Sequence, residues 1–338
     1  YWGVYLNDFM RLMGWNANTN LTFGSFHIDI APIIIVAFFT TLLVFGTKIG
    51  ARVDGAMTVL KIAIVFFVVI VGFFYVKASN FTPFIPPSQP ASTVEGSSAV
   101  TGVMTQPLWQ FATGMTPSVY GVPGILSGAA LVFFAFIGFD VVATASEETK
   151  NPHKNVPLGI GVGMLLIIVM YMLVAVVTTG MVSYADLAKQ DSPSLATAFE
   201  LVGADWAAKI ISFGIVLGLA TVVMVLLLGL TRIVFAMSRD GLLPRGLSKT
   251  GKHGTPAALQ IVVGAVVALV AAFFDIGVLS DMVNIGTLSA FTLVAISIPI
   301  MRKKRPDLPR AFKMPGSPWI PILIAVANFW LMLNLSVL

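Results

Sequence analysis

Eight runs of mainly apolar residues, at about 30–46, 55–76, 125–146, 158–182, 207–237, 257–274, 282–300 and 319–338, limit most strongly what this chain can become. An α-helix rises 1.5 Å per residue, so about 20 such residues cross a hydrocarbon core roughly 30 Å thick. Inside lipid every backbone N–H and C=O needs a partner within the protein, which helices supply locally. The composition agrees, because 57% hydrophobic and 10% charged residues over 338 positions lie far outside the range of a soluble domain. The expected fold is therefore an all-α polytopic membrane protein, a single transmembrane domain over 1–338 with eight spans. The opening YWGVYLNDFM reads as the end of a ninth helix already under way. Together with the apolar ending NFWLMLNLSVL, it is the signature expected of an internal fragment.

Placing successive connectors on alternate sides sorts the cations. Lys48, Arg52, Lys150, Lys154, Arg239, Arg245, Lys249, Lys252 and the cluster from Arg302 to Lys313 share one face, whereas the other has Arg11, Lys77, Lys189 and Lys209. By the positive-inside rule the basic loops 48–52, 150–154, 239–252 and 302–313 are cytoplasmic, in a multi-pass protein of the cell membrane. The formal charge of +5 is then a topology signal and not a nucleic-acid patch. On the external side, GWNANTNLTFGSFHID is an Asn- and Gly-rich loop. Residues 77–124 form a long segment too polar to span, either a lid or disordered. SLATAFELVG, within 183–205, has helical spacing and is expected on the surface.

Several chemistries are excluded. The chain has no cysteine, which removes disulfides, thiolate metal sites and thiol catalysis. His27, His153 and His253 all fall in loops on opposing faces, and no acid accompanies a nucleophile inside a span. No catalytic residue, metal site or bound cofactor is expected. A channel would need rings of charged or carbonyl groups along an open path, and the polar residues within the spans are few and scattered.

The stretch VFFAFIGFD at 132–140 stands apart. It lies inside an apolar run, yet combines Gly138 and the carboxylate of Asp140. Glycine weakens a helix and lets the backbone bend, and a break within lipid persists only where protein, water or a solute supplies the missing partners. A helix break facing a cavity is the expectation. Asp140 has a second reading as a carboxylate near a helix end that turns to water, and Phe133, Phe134 and Phe136 have one as lipid-facing filler. Lys61 lies roughly 15 Å along the helix from Ala51, about half the hydrocarbon thickness. It is either an ammonium whose stem bends to the interface or joins a structural network, or a buried group that gains and loses a proton. Tyr171 places a phenol at mid-depth, where it needs a hydrogen-bond partner. Gly214, Gly218 and Gly229 are read as sites of close helix packing.

FFAFIGFD…EETKNPHKNVP, TRIVFAMSRDGLLP and RPDLPRAFKMPGSPWIP, in order and at suitable separations, resemble the cationic-amino-acid-transporter branch of the amino acid, polyamine and organocation transporter superfamily, and GTKIGARVDGAMTVLKIA matches as well. The resemblance covers nearly the whole chain and implies the end of helix 3 through helix 11, without helices 1, 2, most of 3, and 12. It implies a partial LeuT-like fold of five plus five inverted-repeat helices, whose first and sixth helices are interrupted around the substrate. The stretch 132–140 would lie in helix 6. Carried over by position, Phe134 looks like an aromatic gate, Ala135 and Ile137 with Gly138 like backbone contributors, and Asp140 like a polar residue near the amino or side-chain end of the substrate. Tyr171 and Met224 are similar to pocket-lining residues of helices 7 and 8. Lys61 looks like the helix 5 lysine that takes the place of a sodium ion, coupling a proton to substrate movement. The Gly-rich interruption of helix 1 lies outside this sequence.

The expected function is a secondary amino acid transporter working by alternating access with a proton as coupling ion. Its expected partners are a small amino acid and the lipid bilayer, with no nucleic acid. A transporter-fold sensor or a channel without coupled transport is the alternative, because a fold alone does not give function.

Overall fold

The computed structural model describes residues 2–335 other than 16–18, 24–25, 46, 92–105, 140, 145–148, 191–192, 250–255, 275, 309–313 and 315. In 20–23, 26–28, 47–54, 144 and 276–278 it describes the backbone alone. In chain order the elements are α1 (Trp2–Leu12), a hairpin of β1 (Asn20–Phe23) and β2 (Phe26–Asp29), α2 (Ile30–Phe45) and α3 (Thr47–Phe73). They are followed by β3 (Gln89–Pro90), α4 (Leu108–Thr113), β4 (Ser118–Val119), α5 (Gly121–Val132) and α6 (Val141–Thr144). The series ends with α7 (Pro152–Met181), α8 (Tyr184–Ala188), α9 (Leu195–Leu201), α10 (Asp205–Arg239), α11 (Ala257–Phe273), α12 (Ile276–Lys304) and α13 (Trp319–Leu333).

Among the described residues five segments are long and apolar enough to cross a membrane: Gly55–Phe73, Gly121–Ala143, Pro152–Met181, Asp205–Arg239 and Leu279–Lys304. The shorter apolar helices α2, α11 and α13 accompany them. These eight segments occupy the eight apolar runs of the sequence, and the protein is an all-α polytopic membrane protein.

The chain divides into two compact units. The first comprises Tyr1–Phe81 and Leu165–Asp275 and is organised around α10, against which α1, α2, α3, α9 and α11 all pack. One end of its core joins Val68 of α3, Val177 and Met181 of α7, Phe199 of α9, and Ala207, Ala208 and Ile211 of α10. The other joins Ile35, Val36, Phe39 and Leu43 of α2 to Met224 and Leu227 of α10. Small residues on α10 allow the closest approach. A Cβ on Gly214 would collide with the Ile64 side chain of α3. The Trp2 indole N–H donates to the Val216 carbonyl at 3.0 Å, tying α1 to the same helix.

The second unit comprises Thr82–Met164 and Ile276–Leu338. Here α12 lies along α13 and against α5, and the core joins Ala130 of α5, Leu288 of α12 and Leu335, with Phe133 packed against it. The two-residue strands β3 and β4 pair just before α5 begins.

Two expectations need correction. SLATAFELVG does form a helix, α9, but it is not a surface helix: Ala196, Thr197, Ala198 and Phe199 are buried against α10. Its spacing reported the helix, whereas the four consecutive buried residues follow from the small side chains that let α9 nest closely. Not all three histidines lie in loops: His27 is in β2, His253 lies outside the described residues, and His153 is in the first turn of α7, because the helix starts at Pro152. Proline suits a helix start, where its missing N–H has no intrahelical partner to lose.

The extramembrane joints are capped by side chains. Ser183 caps α8: its hydroxyl accepts from the Asp186 N–H at 3.2 Å and donates to the Asp186 carboxylate at 2.7 Å. The first of these is the N-cap bond that satisfies an otherwise unpaired helix-start donor. Ser194 does the same for α9 by accepting from the Thr197 N–H at 3.1 Å. Arg11, at the end of α1, donates from both terminal nitrogens to Glu200 of α9 at 3.3 and 3.2 Å, a two-point geometry that fixes orientation as well as distance.

Candidate functional site

The apolar segment 121–143 is broken in its second half. After Val132 the α-helix tightens into a 3-10 turn over Phe133–Phe136, Ile137 is extended (φ −63°, ψ 138°), and Gly138 has φ +112°. Helical geometry resumes at Val141. Gly138 is the residue that makes this path affordable in conformational terms, since an L side chain at φ +112° is strained wherever it points. The β-branched Ile137 suits the extended conformation beside it.

The break disturbs the backbone pairing. The Ile137 N–H donates to the Phe134 carbonyl at 3.2 Å, and the carbonyls of Gly138 and Phe139 accept from Val141 and Val142 at 3.1 and 3.3 Å. Among the described residues, the N–H groups of Gly138 and Phe139 and the carbonyl of Ile137 have no hydrogen-bond partner. Two donors and one acceptor thus lie within three residues of one another inside an apolar segment. That set can bind a small polar solute carrying both an anionic and a cationic end. Around it Phe134, Ile137 and Gly138 are partly buried and Ala135 is exposed. Asp140 lies outside the described residues.

The remaining sequence-selected residues belong to the other unit. Lys61 projects from α3 toward α10, where its Cγ and Cε would lie 3.6 and 3.7 Å from a Cβ on Gly218. The absent side chain at Gly218 is therefore what leaves the Lys61 stem its place. Thr221, buried one turn further on, donates its hydroxyl to the Gly218 carbonyl at 2.8 Å. Met224 is buried, within the apolar cluster that α10 makes with α2. Tyr171 lies in α7 with 40% of its surface exposed.

Two residues on α12 were not found from sequence. Phe291 packs its ring against Phe133 at 6.2 Å between centroids, edge-on at 79°, and against Phe139 at 5.3 Å, tilted by 43°. Asn284 is fully buried, and neither its amide nitrogen nor its amide oxygen has a partner among the described residues. The signal was present: residues 284, 288, 291 and 295 recur at the spacing of one helix face, and Asn284, Leu288 and Ala295 on that face are buried. A lone carboxamide inside an apolar span also marks a position with a polar purpose. Among the described residues no cluster of His, Asp or Glu could hold a metal ion.

The sequence profile of the amino acid permease family matches residues 4–337. The chain is 39% identical to the branched-chain amino acid permease BcaP of Bacillus subtilis (strain 168), over 99% of this chain and 66% of that protein. It is 37% identical to the methylthioribose transporter of the same organism, over 89% of this chain and 58% of that protein. It is 34% identical to the vacuolar cationic amino acid transporter 4 of Arabidopsis thaliana, over 83% of this chain and 42% of that protein. The chain thus spans less than two thirds of the length of each of these relatives.

Proposed function

Because the chain belongs to the amino acid permease family, we propose that it is the transport domain of a proton-coupled secondary amino acid transporter that works by alternating access. The observation that carries the proposal is the broken helix at Ile137–Phe139, which presents donors and an acceptor without partners among the described residues inside an apolar segment. In this reading the Gly138 and Phe139 N–H groups meet the substrate carboxylate, the Ile137 carbonyl meets its ammonium, and Phe134 closes over it. Asp140 is assigned the amino or side-chain end of the substrate. The helix belongs to an inverted-repeat arrangement with its basic loops on the cytoplasmic side of the cell membrane.

A solute drives a conformational cycle only through a difference in binding free energy between states. The proton is assigned to Lys61 for that reason. Gain or loss of one charge between α3 and α10 changes the relative stability of the two states without any new contact to the substrate.

The substrate proposed is an amino acid with an apolar side chain. Phe133, Phe134, Ile137 and Phe139 lie at the break, and a branched-chain permease is among the relatives at 39% identity. The other relatives carry methylthioribose or cationic amino acids in their names, so the choice is tested directly.

The test uses the full encoded protein in sealed vesicles with an imposed pH gradient and radiolabelled leucine, lysine or methylthioribose. Saturable, gradient-driven leucine uptake that is lost in Lys61→Ala is the expected result. Lysine or methylthioribose uptake in place of leucine overturns the substrate assignment. Non-saturating currents would favour a channel, and neither flux nor current would favour a sensor.

A further inference from the structure

The broken helix has little of its own to fix the angle between its two parts. Past the 3-10 turn its backbone runs through Ile137 and Gly138 with few hydrogen bonds among the described residues, and glycine has the largest conformational freedom of any residue. Something outside the segment must set where the Gly138 and Phe139 N–H groups point. Phe291 is placed to do so, since its ring touches Phe133, at the start of the 3-10 turn that leads into the break, and Phe139, the last residue of the break.

The position of that ring is itself fixed. One turn earlier on the same face of α12, Leu288 is fully buried in the cluster with Ala130 of α5 and Leu335, and Phe133 packs against that cluster. One turn later Ala295 is buried as well, whereas Met282, Val283, Leu293 and Val294 on the other faces are exposed. The face that carries Phe291 is thus the one held against the broken helix, and α13 packs along the same α12.

We propose that Phe291 is a positioning residue whose ring bridges the interruption and sets the angle at which the unpaired backbone groups of 137–139 meet the substrate. The inference rests on the transport reading above for its consequence, but its structural content is separate. Phe291 touches no substrate in this scheme, so its loss weakens recognition while the translocation step itself stays available.

Two measurements on the full encoded protein test this. The first compares leucine uptake by Phe291→Ala, Phe291→Leu and Phe291→Trp, with Phe199→Ala as a destabilised control whose side chain packs in the other unit. Phe291→Ala is expected to raise KM by about tenfold with maximal uptake within about threefold of the parent, Phe291→Leu to fall between, and Phe291→Trp to restore a near-parental KM. Phe199→Ala should lower the amount of folded protein without altering KM. A parental KM in Phe291→Ala, or full rescue by Phe291→Leu, overturns the proposal, the latter because bulk alone would then suffice.

The second measurement does not depend on transport. With any cysteine elsewhere in the encoded protein replaced, spin labels on Val122→Cys and Ala143→Cys, either side of the break and both exposed, report one distance. A narrow distribution in the parent that broadens in Phe291→Ala supports the bridge, and an unchanged distribution in Phe291→Ala overturns it. If the parent takes up no substrate, the transport reading fails while this distance still decides the role of Phe291.

Discussion

Ile64 of α3 fills the space that a side chain on Gly214 of α10 would need, and one turn further along the same contact the stem of Lys61 lies against Gly218. The two helices run antiparallel here, so Ile64 pairs with the earlier glycine and Lys61 with the later one. The closeness of α3 and α10 and the place of the Lys61 stem are therefore one structural fact, produced by two glycines four residues apart.

Gly214→Val should push α3 from α10 and destabilise the protein by about 1–3 kcal/mol, as overpacking of a close contact does. Ile64→Ala removes the colliding atoms, so adding it to Gly214→Val should recover part of the loss. Thermal melts of the two single variants and the pair in detergent check this. Additive losses would show that the two residues are not coupled.

Asn284→Leu should raise the melting temperature. Its carboxamide is fully buried with both polar atoms unpartnered among the described residues, and each such group costs about 1–3 kcal/mol. Leucine fills nearly the same volume without polar atoms. A lower melting temperature in Asn284→Leu would show that the amide is paired in the folded protein.

Asp186 should titrate below its ordinary value of 3.8, chiefly because the Ser183 hydroxyl donates to its carboxylate, with Lys189 adding a favourable charge 3.5 Å away. A carboxyl held down in the folded state stabilises it above the unfolded-state pKa, and that contribution is lost as pH falls through the folded value. The cap on α8 should thus be unaffected from neutral pH down to about 4 and loosen only below it. Carbon-13 NMR of the aspartate carboxyls should show the low titration and its rise in Ser183→Ala. An unchanged Asp186 titration in Ser183→Ala would refute the assignment.

Much of the fold was legible because membrane insertion writes a simple code. Among the described residues each of the eight apolar runs overlaps an apolar helical segment, and the break at Gly138 was visible as glycine and carboxylate within a span. The role of α9 was hidden, since spacing that marks a helix does not say which neighbour covers it, and Phe199 meets α10 only in three dimensions. Phe291 was hidden for the same reason. It lies far from Phe133 in sequence, and an aromatic in an apolar span has no distinguishing neighbours until the helices are packed. Met224, which the family resemblance likens to a pocket-lining residue, packs with α2 in the core of its unit, a neighbourhood that its own stretch of sequence did not indicate.

The most direct test of a substrate site in the broken helix compares pH-gradient-driven leucine uptake by the full encoded protein with uptake by Gly138→Ala and Gly128→Ala. Gly128 sits in α5 with open space where a Cβ would go, whereas Gly138 has φ +112°, a conformation that costs a non-glycine residue about 1–3 kcal/mol. Parental uptake in Gly128→Ala with at least a tenfold loss in Gly138→Ala, at equal amounts of folded protein, is the predicted result. Equal uptake in both variants would contradict a role for the backbone at 137–139 in binding the substrate.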